Sequence, residues 1–180
     1  NANDFGNLTV AKSHGASANS STRMVHASGQ INPSGYTNVM DYIIIASTGN
    51  ATDFGDLITT AYRPSTFSSQ TRGLITSMET NPNNNNNIIE YITIASLGNA
   101  NDFGDTTVVT RNGSGCASST RGIHYGGYSH PATGTNVIQY VTIATTGNAS
   151  DFGDMLGTAR FSPSGCSNSV RGVLMGGGLA

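Results

Sequence analysis

The chain has 180 residues, of which 36% are hydrophobic and only 10% charged, against a usual charged share of roughly a quarter. Eight Lys and Arg against ten Asp and Glu give a net charge of −2 with no basic run, so the electrostatic footprint of a nucleic-acid-binding protein is missing. No apolar stretch reaches 18 residues and the longest, Tyr42 to Ala46, is of strand length, so no membrane insertion is expected.

Taken in chain order, the sequence opens on Asn1 without an initiator Met. It is expected to be a processed product, a fragment or a sequence read without its start. Asp4-Phe5-Gly6-Asn7 follows, and the motif returns as Asp53-Phe54-Gly55-Asp56, Asp102-Phe103-Gly104-Asp105 and Asp151-Phe152-Gly153-Asp154, in steps of 49. Arg23, Arg72, Arg121 and Arg171 each follow a Ser/Thr-rich run at the same step, the last displaced by one residue. Asn38 to Ile43, Asn87 to Ile92 and Asn136 to Val141 share a third phased pattern, Asn-x-x-(Asp/Glu/Gln)-Tyr-(Ile/Val). Three markers in one register define a repeat, with units 1–49, 50–98 and 99–147 and a partial unit 148–180 in a single repeat domain.

Each unit is rich in Val, Ile, Thr and Tyr, is punctuated by Gly and Asn, and lacks a sustained apolar period of 3.6, which predicts strands and no helix. In the third unit the predicted strands are residues 115–119, 121–127, 136–145 and 152–160. Along strand three of the second unit, Ile88, Ile92 and Ile94 point one way and Ile89, Tyr91 and Ala95 the other, so that strand should be covered on both faces. Four-stranded sheets repeated and packed face to face predict an all-β fold, a β-propeller of about four blades with the last incomplete. The last unit has no copy of the Asn-x-x-Glu-Tyr segment. Closure with one thin blade, a piece of a longer propeller, and pairing of open edges with another subunit all stay open, with weight toward fragment or assembly.

The strand ending in Tyr125-Gly126-Gly127-Tyr128, the Asn-x-x-Glu-Tyr strand and the strand closing on Ala159-Arg160 resemble the kelch repeat, which folds as propeller blades. The Ile45 to Asp56 segment, Ile-Ala-Ser-Thr-Gly-Asn-Ala-Thr-Asp-Phe-Gly-Asp, is similar to tandem repeats of bacteriophage virion and tail-fibre proteins. That resemblance implies a virion or extracellular structural protein, associating with itself or with neighbouring structural subunits.

Asp-Phe-Gly also occurs in protein kinases, but four phased copies without a Gly-rich loop or a catalytic His-Arg-Asp do not make one. Asp4, Asp53, Asp102 and Asp151 are expected to accept backbone N–H groups in Asx-turns, with the glycines allowing close approach and the Phe packing between units. The oxygen-rich stretch Asn50 to Asp56 is the one candidate for Ca²⁺, and its ligand density is thin; no other cofactor is expected.

Asp41, Glu90 and Gln139 occupy one repeat position, the four Arg another, and Lys12, Arg63, Arg111 and Arg160 a second basic one; Glu79 alone stands outside the phasing. Charges built into every repeat are expected to make inter-unit pairs rather than a catalytic set, with hydrogen bonding the role at Gln139. No catalytic residues and no enzyme activity are expected. Cys116 and Cys166 are expected to be small buried residues rather than a disulfide, and His26 and His124 to be packing residues, because Ile75 and Leu174 fill the same position. The loops between strands two and three differ among units. Tyr36, Tyr128 and His130 there are the candidate binding residues for a receptor or cell-surface glycan.

Overall fold

In the computed structural model, which describes residues 1–33, 35–81, 84–129 and 133–179, the elements are strands only. The first sheet is an antiparallel meander of β1 (Ala16–Asn19), β2 (Arg23–Ile31), β3 (Gly35–Ile44) and β4 (Thr52–Ala61). The second consists of β5 (Ser65–Ser68) and β6 (Arg72–Thr76), a hairpin of β7 (Glu79–Asn81) and β8 (Asn84–Asn85), then β9 (Ile88–Thr93) and β10 (Asn101–Asp105). Its meander order is β5-β6-β9-β10. The third repeats this with β11 (Ser114–Ala117), β12 (Arg121–Tyr125), the pair β13 (Tyr128–Ser129) and β14 (Thr133–Gly134), β15 (Val137–Thr142) and β16 (Ser150–Asp154). The last unit supplies β17 (Arg160–Phe161), β18 (Ser164–Ser167), β19 (Gly172–Met175) and β20 (Gly178–Leu179); β18 pairs β19, and β17 pairs β20.

The turn from strand one to strand two has the same cause in each sheet. A side-chain oxygen of Ser20, Ser69, Ser118 or Asn168 accepts the N–H of the Arg that opens the next strand, at 2.8–3.1 Å. Such short polar side chains offer the backbone a local partner and so favour turns. The phased Arg is therefore the first residue after a side-chain-fixed turn.

Successive sheets pack face to face. Val25, Met40, Phe54 and Leu57 of the first sheet share a core with Ile75, Ile92 and Ile94 of the second. Phe67, Leu74, Ile89 and Phe103 of the second share another with Val141 and Ile143 of the third. Of the alternation expected along 88–95, Ile92 and Ile94 enter one core and Ile89 and Tyr91 the other, whereas Ile88 enters neither and Ala95 is exposed.

At strands one and two the sheets approach more closely. A Cβ built on Gly73 would lie 2.6 Å from Cβ of Ala18, and one on Gly122 would run into the ring of Phe67. One on Gly172 would lie 2.9 Å from Sγ of Cys116. One side chain of each strand one thus fills the space a glycine leaves on strand two of the following sheet. Equivalent residues also bond directly: Thr66 Oγ1 donates to the Ser17 carbonyl and Ser68 Oγ to that of Asn19, both at 2.8 Å. His14, Arg63, Asn112 and Ser162 all have φ between 50° and 58°. Each of the last three donates its N–H to the carbonyl of the residue before it in that series.

Three expectations are corrected. Strand four of the third unit, expected over 152–160, is Ser150–Asp154, because the chain bends at Leu156 and Gly157 before pairing again at Arg160. Lys12, Arg63, Arg111 and Arg160 do not form one position. Arg111 aligns with Tyr62, each bridging to the following hairpin, while Arg63 belongs to the left-handed series with His14. Cys116 is buried but Cys166 is exposed, and both are free thiols. Cys116 points at Gly172 rather than at its equivalent.

The Phe residues are likewise unequal: Phe54 and Phe103 are 2% exposed and Phe152 is 56% exposed. Phe54→Ala or Phe103→Ala is expected to cost about 3–5 kcal/mol of unfolding free energy, and Phe152→Ala less than about 1 kcal/mol. Guanidinium titrations of the three variants check the ranking, and equal losses would contradict it.

Candidate functional site

The phased polar residue of strand three is buried in every complete sheet, with Asp41, Glu90 and Gln139 all 0–1% exposed. Glu90 and Gln139 reach back to strand four of the preceding sheet or the segment just after it, and Asp41 to the segment before β1. Glu90 accepts the Ile58 N–H at 2.8 Å and the Thr59 hydroxyl at 3.2 Å. Gln139 Oε1 accepts the N–H of Thr107 at 2.6 Å and its hydroxyl at 3.0 Å. Asp41 accepts the Thr9 hydroxyl and pairs with Lys12 at 2.8 Å. The chemistry common to the three is acceptance of hydrogen bonds, which an amide performs as well as a carboxylate.

The phased Arg makes no ion pair among the described residues. Arg23, Arg72 and Arg121 lie over the rings of Tyr42, Tyr91 and Tyr140, 4.4–4.5 Å from the centroids. These rings meet Phe54, Phe103 and Phe152 edge-on at 6.0–6.1 Å. Arg23 and Arg72 also donate Nη1 to the carbonyls of Ile94 and Ile143 in the following sheet, both at 2.8 Å. The expected inter-unit contact exists for Arg23 and Arg72, but its acceptor is a carbonyl rather than a carboxylate, and the ring contacts lie within one sheet.

Asp-Phe-Gly sits on a β-bulge of strand four: Asp102 opposes Glu90 and Gly104 opposes Ile89, leaving Phe103 unpaired in the ladder. Asp4, Asp102 and Asp151 accept the N–H two residues on, at 3.0–3.2 Å. Gly104 has φ 142°, and a Cβ there would lie 2.6 Å from the carbonyl of Gly147. The Phe103 carbonyl accepts the Gly147 N–H at 2.7 Å, and Asn148 Oδ1 accepts the Asp105 N–H at 3.0 Å. Asn50 Oδ1, the Asn oxygen considered for Ca²⁺, is committed in the same way, accepting the Asn7 N–H at 3.0 Å. Among the described residues no group of three or more His, Cys, Asp or Glu could hold a metal ion.

The expected binding residues are placed by the hairpins between strands two and three. The Tyr36 ring stacks on Tyr62 at 4.8 Å and 8°, and its hydroxyl donates to Glu79 at 2.8 Å. Glu79, 2% exposed, pairs with Arg111. Arg111 lies 4.6 Å from the Tyr128 ring centroid and donates to the Tyr128 hydroxyl at 2.6 Å. Tyr36 and Tyr128 therefore belong to one network that crosses three units. His130 lies outside the described residues. Sequence reasoning missed Glu79 as the centre of this network and Tyr62 as its stacking partner. The one signal was that Glu79 is the single acid without a phased copy. Next to this network the exposed His14 meets Tyr62 edge-on at 5.0 Å.

Burial lowers the His124 imidazole from 6.5 to about 4 and raises the Glu90 carboxyl above its ordinary range. His124 Nδ1 faces Gln139 Nε2 at 3.0 Å, so a neutral ring accepts that amide N–H. No family model matches the chain, and no curated protein matches it.

Two predictions concern these buried groups. Glu79→Gln leaves Arg111 without its counter-charge and is expected to destabilise by about 3–5 kcal/mol. Glu90→Gln, which copies Gln139, is expected to be neutral or stabilising at pH 7; chemical denaturation of the two variants side by side separates them. The second concerns pH. Unfolded His124 binds a proton near 6.5 and the folded state only near 4, so its contribution to stability is present above 6.5 and is lost as pH falls to about 4. The loss is on the order of 3 kcal/mol. Urea midpoints followed against pH should show this limb in the wild type and a flatter one in His124→Ile.

Proposed function

We propose that the chain is a non-catalytic structural module, a propeller-type array of four-stranded blades. Its setting is a virion or other extracellular structure, where it holds itself and its neighbours together through blade packing and strand edges. The observation that carries this reading is the use of the phased polar residues. Glu90 is bonded to strand four of the sheet before and Gln139 to the segment that follows it, and Arg23 and Arg72 are bonded to the sheet after. A set committed in this way serves cohesion, and an acid–base site would need groups that face a substrate.

Support for radial fanning comes from the changing gap between sheets. Along strand one, equivalent residues are joined by single hydroxyl–carbonyl bonds. Further out the same gap holds Phe54, Met40 and Ile92. A gap that widens from strand one to strand four turns each sheet relative to the last. The virion setting rests on the resemblance of the Ile45 to Asp56 segment.

A second reading, recognition of a receptor or glycan, draws on the partly buried Tyr36–Tyr62 stack with exposed His14 beside it. Against it, the Tyr36 hydroxyl is already bonded to Glu79.

Native mass spectrometry with electron microscopy tests the assembly reading. Species at multiples of 18.6 kDa, seen as rings or fibres, are expected. A monomer across the accessible concentration range, together with glycan-array binding that His14→Ala and Tyr62→Ala abolish, would replace it with the second reading.

A further inference from the structure

Lys12 is the single lysine of the chain, and its side chain is fully buried together with that of Asp41. Its Nζ lies 2.8 Å from Asp41 Oδ2 and donates to the Val39 carbonyl at 2.8 Å. One and two repeats after Lys12 stand Ala61, in the apolar core between the first two sheets, and Thr110, whose hydroxyl meets that of Ser77 at 2.7 Å. A position that takes Ala or Thr needs no cation for packing. Lys12 is thus an addition to the repeat rather than a part of it.

The two carboxyl oxygens of Asp41 are unequal. Oδ1 accepts the Thr9 hydroxyl, whereas Oδ2, beside the Lys12 nitrogen, accepts no hydrogen bond among the described residues. With the nitrogen 2.8 Å away, the fault is one of angle and not of distance. A buried carboxylate oxygen left so is costly, and holding both charges out of water adds to that cost. A neutral amide in place of the two charges removes most of it. The repeat position already accepts an amide, since Gln139 fills it in the third sheet with its amide oxygen as the acceptor.

We propose that Lys12 and Asp41 form an intramolecular isopeptide bond, Nζ to Cγ, that staples the segment before β1 to β3. The ammonium passes a proton to Asp41 Oδ2, and the resulting amine adds its lone pair to Cγ. The Cγ–Oδ2 bond then breaks, and the oxygen leaves as water with the proton it holds and a second one from Nζ. His26, opposite Asp41 in the β2–β3 register, is the titratable side chain placed to carry that second proton. Nothing is oxidised or reduced, and no co-reactant is consumed. Oδ1 stays as the amide oxygen with Thr9 as its donor, and the remaining Nζ–H keeps the Val39 carbonyl. The oxygen removed is the one that accepts no hydrogen bond. The bond closes a covalent loop over residues 12–41 that contains all of β1 and β2. It goes beyond the assembly reading and does not rest on it.

The test is the intact mass of the folded wild-type chain, followed by a peptide map. A mass one water below that of the sequence is expected, with a branched peptide joining Lys12 to Asp41 and no tryptic cleavage after Lys12. Chain held unfolded in denaturant from its synthesis onward should keep the full mass and lose the water on refolding. Lys12→Arg retains the positive charge without the amine that forms the bond, so its mass should equal that of its sequence. Should that variant fail to fold, the wild-type map decides. Full mass in the folded wild type, cleavage after Lys12, or a water loss that maps to other residues would overturn the proposal.

Discussion

The structure depends on a buried hydrogen-bond acceptor on the third strand of each complete sheet that reaches across to the segment packed before that sheet. Glu90 bonds the N–H of Ile58, and Gln139 that of Thr107. A buried polar group without a partner costs one to several kcal/mol. The backbone N–H groups near strand four can therefore sit under the next sheet only where such an acceptor meets them. The requirement fixes register. A one-residue slip would turn the acceptor to the other face of its strand and leave both groups unpaired. It also explains why Asp, Glu and Gln interchange at one position while the burial there does not change.

The outer strand follows from the same alignment. With the acceptor in place, the turn containing Gly98, and that containing Gly147, comes against the preceding strand four and needs room for its backbone. The glycine of Asp-Phe-Gly leaves that room, and the bulge turns Phe54 or Phe103 into the gap between sheets. The motif is thus a packing device in which Asp closes the local turn, Phe fills the core and Gly admits the neighbouring chain. Near strand one the sheets meet through Ala18 on Gly73 and Phe67 beside Gly122, where a side chain on each glycine would prevent contact.

Features that recur were legible in the sequence, because a period of 49 averages over local accidents. The all-strand character, the burial of Ile89 on one face and of Ile92 and Ile94 on the other, and the Asx turns at Asp102 and Asp151 were visible this way. Partners were less visible. The acceptor for Arg72 is a carbonyl 71 residues away, and a carbonyl carries no sequence signal. Glu79 was conspicuous only as an exception. Its partners Tyr36 and Arg111 come from different units, and no single-unit pattern brings them together. Phe152 matched Phe54 in sequence and differs in exposure, because burial depends on the sheet that covers a residue and not on the residue itself. The network at Glu79 breaks the symmetry of the repeat. Such ionic groups contribute little net stability when intact and a great deal of destabilisation when half removed, so this one distinguishes the second unit from its neighbours.

The left-handed residues His14, Arg63, Asn112 and Ser162 carry a consequence for larger structures. Each N–H in the series points to the carbonyl of the preceding member, so the line of bonds has a direction. One end of the array offers a carbonyl and the other an N–H, and the two end surfaces are different surfaces. Contacts made by joining them are heterologous, which excludes a two-fold dimer through these ends. Such contacts produce either a closed ring or an open filament, according to whether the rotation per unit returns to its start. Were the proposed assembly to run through such ends, the rotation from one sheet to the next would decide between a particle of fixed size and a fibre of indefinite length.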